Sequence, residues 1–315
     1  MTHYEKLNDG IVCIDTEQHR PGLAAAYLLG NNGHYAFIEC GTSLSVPALL
    51  QTLVELDIST AAVDYVMPTH VHLDHAGGAG ALMQALPNAR LVAHPRAAKH
   101  LIDPARLIVG ATAVYGAAAM KELYGDIVAV PQSRVIVADV ADDHDFSLYV
   151  GKRPLTFIDA PGHASHHYAV WDEASRGWFS GDVFGMSYRA FDSAHGAYLL
   201  PTTTPVGFNP QAWDTTLDRM MARTPAHIYL THYGRVDDVL PLCKKLREDI
   251  AAYQRIAQKH EADEDREQSL ADGLMAYHIG QLRQCRHPLP EARARQLLAM
   301  DIGLNAQGLD VWLQR

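Results

Sequence analysis

An α/β chain closed by an all-helical tail is the fold class this 315-residue sequence predicts. Three observations carry it. Short apolar, strand-like runs alternate with helical stretches through the first two thirds. Glycine or another turn residue follows most of those runs. Beyond Gly234 the strand pattern stops and helical spacing takes over. A hydrophobic content of 48% suits a well-buried globule of this length.

The elements follow in order. Residues 10–15, 23–29 and 35–40 read as strands, the last two joined by Gly30-Asn31-Asn32-Gly33, a hairpin turn sequence. Residues 46–56 have helical spacing with Ser45 as the cap. Residues 62–67 form the next apolar run. Residues 105–124 are alanine-rich with Leu107, Val114, Met120 and Leu123 near helical spacing; a core helix is the first reading and a substrate wall the second. Residues 153–160, 177–180 and 226–230 read as strands. Residues 184–208, rich in Tyr, Pro and Thr, read as a long loop of the kind that carries function.

The tail begins with Val239, Leu242, Leu246, Ile250, Tyr253 and Ile256 on one helical face. Residues 261–267 are an acidic linker or helix end. Residues 269–284 and 291–300 read as two more helices, the second opened by Pro290, and residues 305–313 as a short last one. The chain therefore divides into a sheet-containing domain over 1–236 and a helical extension over 237–315. That extension packs against the core, walls a site or meets a second subunit, so a homodimer is one arrangement it allows.

A formal net charge of −10 and a pI near 5.9 argue against a nucleic-acid partner, which lysine and arginine clusters would have to hold. A small-molecule substrate, neutral or mildly anionic, fits better. No apolar run approaches the roughly 20 residues that span a bilayer. The first residues lack the charged-then-apolar build of a secretory signal. Cys13, Cys40, Cys243 and Cys285 show no C-x-x-C spacing and read as free thiols. Cytoplasmic location is the default expectation.

The chemistry concentrates in His70-Val71-His72-Leu73-Asp74-His75, which follows the apolar run 62–67 and precedes Gly77-Gly78. With 18 histidines in the chain, a His-rich patch can arise from composition alone. The position at a strand exit favours a metal site instead. Imidazole and carboxylate suit zinc and other first-row divalent ions, and four such donors this close cannot all reach one ion. Two adjacent metals are the natural solution. Further donors end later strand-like runs: Pro161-Gly162-His163, Gly181-Asp182 and Thr231-His232-Tyr233-Gly234.

With His163, Asp182 and His232 following it in order, Thr69-His70-Val71-His72-Leu73-Asp74-His75-Ala76-Gly77-Gly78 resembles the motif set of the metallo-β-lactamase-fold hydrolase superfamily, over roughly residues 10–235. The resemblance implies an α+β four-layer αβ/βα sandwich with the site at one edge of two sheets. It implies that His70, His72 and His163 hold one metal and that Asp74, His75 and His232 hold a second, with Asp182 bridging. Two divalent ions are the expected cofactors, zinc first, with iron or manganese served by the same ligands. A hydroxide between them would attack a carbonyl or phosphoryl centre, and Asp74 would hydrogen-bond that nucleophile and shuttle its proton, so Asp74 and Asp182 are the catalytic candidates.

Within the superfamily, di-iron oxygen and nitric oxide reductases resemble His-x-Glu-x-Asp, so His72 favours hydrolysis. Secreted β-lactamases usually carry cysteine at the second metal, where this chain has Asp182. Glyoxalase II-like thioesterases and lactonases remain. Lys244, Lys245 and Arg247 in the tail do not match a glutathione-binding pattern. The expected function is thus metal-dependent hydrolysis of a small thioester or ester, with lactone hydrolysis close behind. An iron-dependent sulfur dioxygenase-like oxidoreductase and a non-catalytic ligand sensor are the alternatives.

Tyr188, Arg189, His195 and Tyr198, in the long loop after Asp182, are the substrate candidates, suited to stabilising an oxyanion or binding a carboxylate. Strand alternation would turn His166 and His167 to opposite faces, so at most one of them faces the metals. His34 reads as exposed. Asp64 and Asp159, just upstream of ligand turns, are the expected partners of ligand rings.

Overall fold

The computed structural model describes residues 3–140, 144–194, 196–203 and 205–315. Seven strands form a first sheet in chain order: β1 (Tyr4–Lys6), β2 (Ile11–Asp15), β3 (Ala25–Asn31), β4 (His34–Ile38), β5 (Val63–Met67), β6 (Arg90–Ala93) and β7 (Val135–Val137). β1 to β4 pair antiparallel and β4 to β7 parallel. Six strands form the second: β8 (Phe146–Val150), β9 (Arg153–Asp159), β10 (Tyr168–Asp172), β11 (Gly177–Gly181), β12 (His227–Leu230) and β13 (Gly234–Val236). There only β11 and β12 pair parallel.

Both faces of these sheets are buried, which is why the strands read as continuous apolar runs. β2 shows the alternation: Ile11 and Cys13 enter the core between the sheets, while Val12 and Ile14 enter the core under the helices. Tyr27, Phe157, Phe179 and Tyr229 fill the space between the sheets. Helices α1 (Val46–Glu55), α3 (Ala79–Ala85) and α4 (Pro95–Ile102) cover the outer face of the first sheet, with the single turn α2 (Leu73–Ala76) before α3. The outer face of the second sheet is covered by α7 (Pro210–Ala222) and by the tail helices α8 (Val239–Lys259), α9 (Arg266–Gln284) and α10 (Glu291–Leu313). The layers are helix, sheet, sheet, helix, the expected αβ/βα sandwich. Among the described residues no helix is long and apolar enough to cross a membrane.

Several expectations change in detail. Residues 105–124 form two helices, α5 (Ala105–Tyr115) and α6 (Ala117–Tyr124), parted at Gly116, whose φ of +80° only glycine adopts readily. They are not a core helix: Ala105, Arg106, Val109, Gly110 and Ala113 are exposed, while Met120 and Tyr124 anchor α6. Residues 291–313 are one helix rather than two. Gly303 and Gly308 each cost it about 1 kcal/mol. Burial of Leu298, Ile302 and Leu309 at about 1.5–3 kcal/mol each outweighs that. Ser45 takes the N-cap position of α1 but makes no capping hydrogen bond, turning to Thr42 instead. The stretch 184–208 is irregular but packed: Phe184, Phe191, Leu199, Leu200 and Phe208 are buried beneath the tail.

One polar chain ties the tail together. His278 of α9 is buried with Tyr198 Oη 2.7 Å from Nδ1 and Tyr253 Oη 2.7 Å from Nε2. Burial, with Lys245 nearby, pushes its pKa from 6.5 down to about 3. A ring that resists protonation only when folded contributes stability above pH 6.5 that is lost as pH falls toward 3. Urea unfolding should therefore show about 2 kcal/mol of stability lost through this group between about pH 7.5 and 5. In His278→Gln that component should vanish. An equal acid sensitivity in the variant would assign the loss to other groups.

Candidate metal centre

Strand direction brings distant donors together. β9 and β11 both run antiparallel to β10 between them, and β12 is parallel to β11. The C-terminal ends of β9, β11 and β12 therefore share one edge, where His163, Asp182 and His232 follow them. β5 delivers His70 and His72 in the turn after Met67, and α2 adds Asp74 and His75. Gly181 makes the approach of Asp182 possible. Its φ is +50°, and a Cβ there would lie 2.4 Å from both His167 Nε2 and Thr69 Oγ1.

Two donor groups result, His70, His72, His163 and Asp182 in one, and Asp74, His75 and His232 in the other, each within 4.8 Å. His70 Nε2 and His163 Nε2 stand 2.8 and 3.1 Å from His72 Nδ1. Asp182 faces both groups: Oδ2 lies 3.4 Å from His163 Nε2, and Oδ1 lies 3.4 Å from His75 Nε2 and 3.7 Å from His232 Nε2. Asp74 Oδ2 is 3.5 Å from His75 Nε2 and 3.3 Å from His232 Nε2. A tetrahedral ion with bonds of roughly 2.0–2.1 Å spaces its donors by roughly 3.3 Å, close to this spread.

The rings are held from behind. His75 Nδ1 donates to Glu39 Oε1 at 2.9 Å, His163 Nδ1 to the Thr202 carbonyl at 2.8 Å, and His232 Nδ1 to the Leu23 carbonyl at 3.0 Å. His70 Nδ1 donates to Thr69 Oγ1 at 3.1 Å, and that hydroxyl donates on to Glu39 at 2.5 Å. These acceptors assign the Nδ1 proton in four rings and leave four Nε2 lone pairs converging. His75 Nε2 and Asp182 Oδ1 are buried there without a hydrogen-bond partner. Such atoms suit a cation.

The electrostatics agree. Burial, then crowding by neighbouring rings, pushes His70 and His72 well below the usual imidazole range. Burial also lowers His163, outweighing the pull of Asp182. Burial opposes the charged form of His75 and His232 too, but Glu39, Asp74 and Asp182 lift His75, and Asp182 with Asp74 lifts His232 to about 9. Burial works against the Asp74 and Asp182 carboxylates, yet the adjacent rings hold both well below their usual range. The pocket is built around negative charge that calls for cations.

Glu39 is the residue the sequence reading missed. It is 1% exposed, and besides His75 and Thr69 Oγ1 it accepts from Thr231 Oγ1 at 3.0 Å and from the Thr69 amide at 3.1 Å. The partners expected in that role lie elsewhere: Asp64 pairs with His34 at 2.8 Å near the surface, and Asp159 with His94 at 2.9 Å. Neither His166 nor His167 belongs to either donor group, as the expectation that at most one faces the metals allows, but the reason differs. Both precede β10, in a loop where strand alternation does not apply. His167 Nε2 accepts from the Asp182 amide at 3.2 Å, and the His166 ring sits 5.5 Å from that of His72.

A cavity of about 510 Å³ opens off the donors, with His72, Asp74, Asp182 and His232 in its lining. Of the substrate candidates, Tyr188 lines it and donates to Asp301 Oδ2 of α10 at 2.8 Å. Arg189 turns outward to Asp192 and the Arg235 carbonyl, and Tyr198 points into the tail toward His278, so neither is part of the lining. His195 lies outside the described residues. Lys245 and Arg247 are engaged by Asp249 and by Asp214 and Asp218, away from the cavity. Asn305 of α10 also lines it, accepting from the Thr203 amide and donating to the Pro201 carbonyl, so the tail braces the loop that holds His163.

Comparison with known proteins agrees with this architecture. The family model described as the metallo-beta-lactamase superfamily matches residues 19–232. The metallo-beta-lactamase fold-containing protein ST1585 of Sulfurisphaera tokodaii is 27% identical over 225 residues, covering 69% of this chain and 75% of that protein. The crystal structure of ST1585 from Sulfolobus tokodaii is similar with a TM-score of 0.66 at 21% identity, over 96% of this chain and 99% of that one. A metallo-beta-lactamase family protein from Thermus thermophilus gives 0.65 at 18% identity, over 97% and 93%.

Proposed function

Because the chain belongs to the metallo-beta-lactamase superfamily, we propose that it is a metal-dependent hydrolase of small thioesters or esters, with lactones as close relatives. One observation carries the reading: four rings whose Nδ1 protons are bound behind them aim bare Nε2 atoms at two carboxylates. His70, His72 and His163 would hold one ion and Asp74, His75 and His232 the other, with Asp182 between them. When bound, the ions would supply Lewis acidity and a water deprotonated near neutral pH.

The chain's own groups do the rest. Asp74 reaches the cavity and has its second oxygen available to accept a proton from the attacking water. Tyr188 donates to Asp301, which gives that carboxyl a fixed hydrogen-bond partner on the cavity wall. The carbon walls of the cavity limit water around the reacting carbonyl.

The test is metal content of protein purified without added metal, beside a panel of activated esters, thioesters and lactones. About two equivalents per chain and turnover abolished by a chelator, then restored by zinc or manganese, are expected. One iron per chain with oxygen uptake on thiols would move the protein to the oxidoreductases. Failure to retain or take up any divalent ion would end the proposal.

A further inference from the structure

The cavity above the donors is mostly carbon. Its walls come from Leu107 and Ala111 of α5, Leu123 of α6, and Met300 and Leu304 of α10, with Leu73 beside the donors. The polar groups deep in the same lining are largely spent on one another. Tyr188 donates to Asp301, Thr202 Oγ1 to the Asp182 carbonyl, and Asn305 is held by Thr203 and Pro201. Besides Asp182 Oδ1, two lining atoms among the described residues are buried without a hydrogen-bond partner, Gln18 Oε1 and His166 Nδ1. Both belong to segments tied to the donors. The His166 ring neighbours His72, and the segment of Gln18 runs to Leu23, whose carbonyl holds His232. Polarity is therefore gathered at the floor and at the basic side chains His19, His100 and Arg106, and carbon makes up most of the rest of the wall.

The rim continues the pattern. Val206 and Met300 line the cavity yet remain 74% and 45% exposed, and Val109, next to Gly110 of the lining, is 69% exposed. Apolar side chains left in water around a cavity mouth mark the path of an apolar ligand. Met186 and Met300, flexible and polarisable, suit a chain that changes conformation better than a rigid ring. The volume is that of a small-molecule site. His19, His100 and Arg106 are the basic groups at the cavity besides the donors and His166. They are too few for a polyanionic head.

We infer that the substrate carries an unbranched apolar acyl chain, seated between the α5–α6 pair and α10 with its carbonyl at the donor cluster. This rests on the hydrolase reading. Water adds its oxygen to the acyl carbon and the bond to the leaving oxygen or sulfur breaks. The products are a carboxylate, an alcohol or thiol, and one proton released to solvent.

The experiment has two independent readouts on the metal-loaded protein. The first is calorimetric binding of methyl ketones from butanone to decanone, which cannot be hydrolysed. The second is kcat/KM for p-nitrophenyl esters from acetyl to decanoyl. Each added methylene should tighten binding and raise kcat/KM about fourfold until the chain fills the cavity. Gly110→Trp probes the same space, since Gly110 is an exposed lining residue and a Cβ there meets nothing within 4 Å. It and Leu304→Trp should collapse the octanoyl-to-acetyl ratio and flatten the ketone series. Ketone affinity that ignores chain length, or a length dependence that both variants retain, would overturn the inference even with esterase activity present. Chain-dependent ketone binding without ester turnover would uphold the cavity assignment and sink the hydrolase reading instead.

Discussion

Asp182→Ala is expected to reduce bound metal from about two equivalents per chain to one or fewer, and to lower hydrolysis by at least about 10³-fold. The size follows from position. Oδ2 faces His163 while Oδ1 faces His75 and His232, so one substitution removes a donor from both groups. It also removes the buried negative charge between them, leaving two cations to repel each other across a short, poorly solvated gap. Asp182→Asn separates the two contributions, keeping the shape and one oxygen without the charge. It should retain more metal than the alanine variant and little more activity. Mass-spectrometric metal counts beside kinetics on one ester decide the matter. Two firmly held equivalents in Asp182→Ala would show that the carboxylate is not shared.

How much of this could be read from residues depends on how locally each feature is encoded. His70, His72, Asp74 and His75 stand out because four donors fall in one turn after an apolar strand. His163, Asp182 and His232 follow because each ends a strand in the same way, and parallel strand direction then collects them at one edge. Alternating strands and helices gave only an α/β class, and the sandwich layering followed from the resemblance that the motif set carries. Glu39 was not. It comes about 30 residues before the Thr69–His75 turn, and a single carboxylate ending a strand ordinarily faces water. The one cue was its setting between Ile38, Cys40 and Gly41, an apolar strand end with no other polar residue to explain it. Asp64 and Asp159 were favoured for adjacency in sequence, but adjacency does not set direction. The exposed apolar surface of α5 was equally hidden, because periodicity reports a face without saying whether protein, water or ligand covers it.

Glu39→Ala should be the most damaging substitution outside the donors themselves. Glu39 is almost fully buried and accepts four hydrogen bonds, from the Thr69 amide and hydroxyl, His75 Nδ1 and Thr231 Oγ1. Removing it leaves all four donors without an acceptor in a dry site. The cost to folding should be about 3–5 kcal/mol, of the order seen when one member of a buried charged network is deleted. The effect on the site should be separate and directional. His75 loses the hydrogen bond that fixes its tautomer, and His70 loses the relay through Thr69, so both donor groups are loosened together. Metal affinity should fall about 10–100-fold, the usual cost of losing the group behind a ligating ring. Urea unfolding of chelated protein measures the first effect and competition against a chelator the second. Glu39→Gln keeps the volume and one carbonyl oxygen, so it should fall between wild type and alanine in both. Alanine at this position with wild-type metal affinity would mean that the rings are oriented by packing alone, and Glu39 would then be only a buried charge tied to the fold.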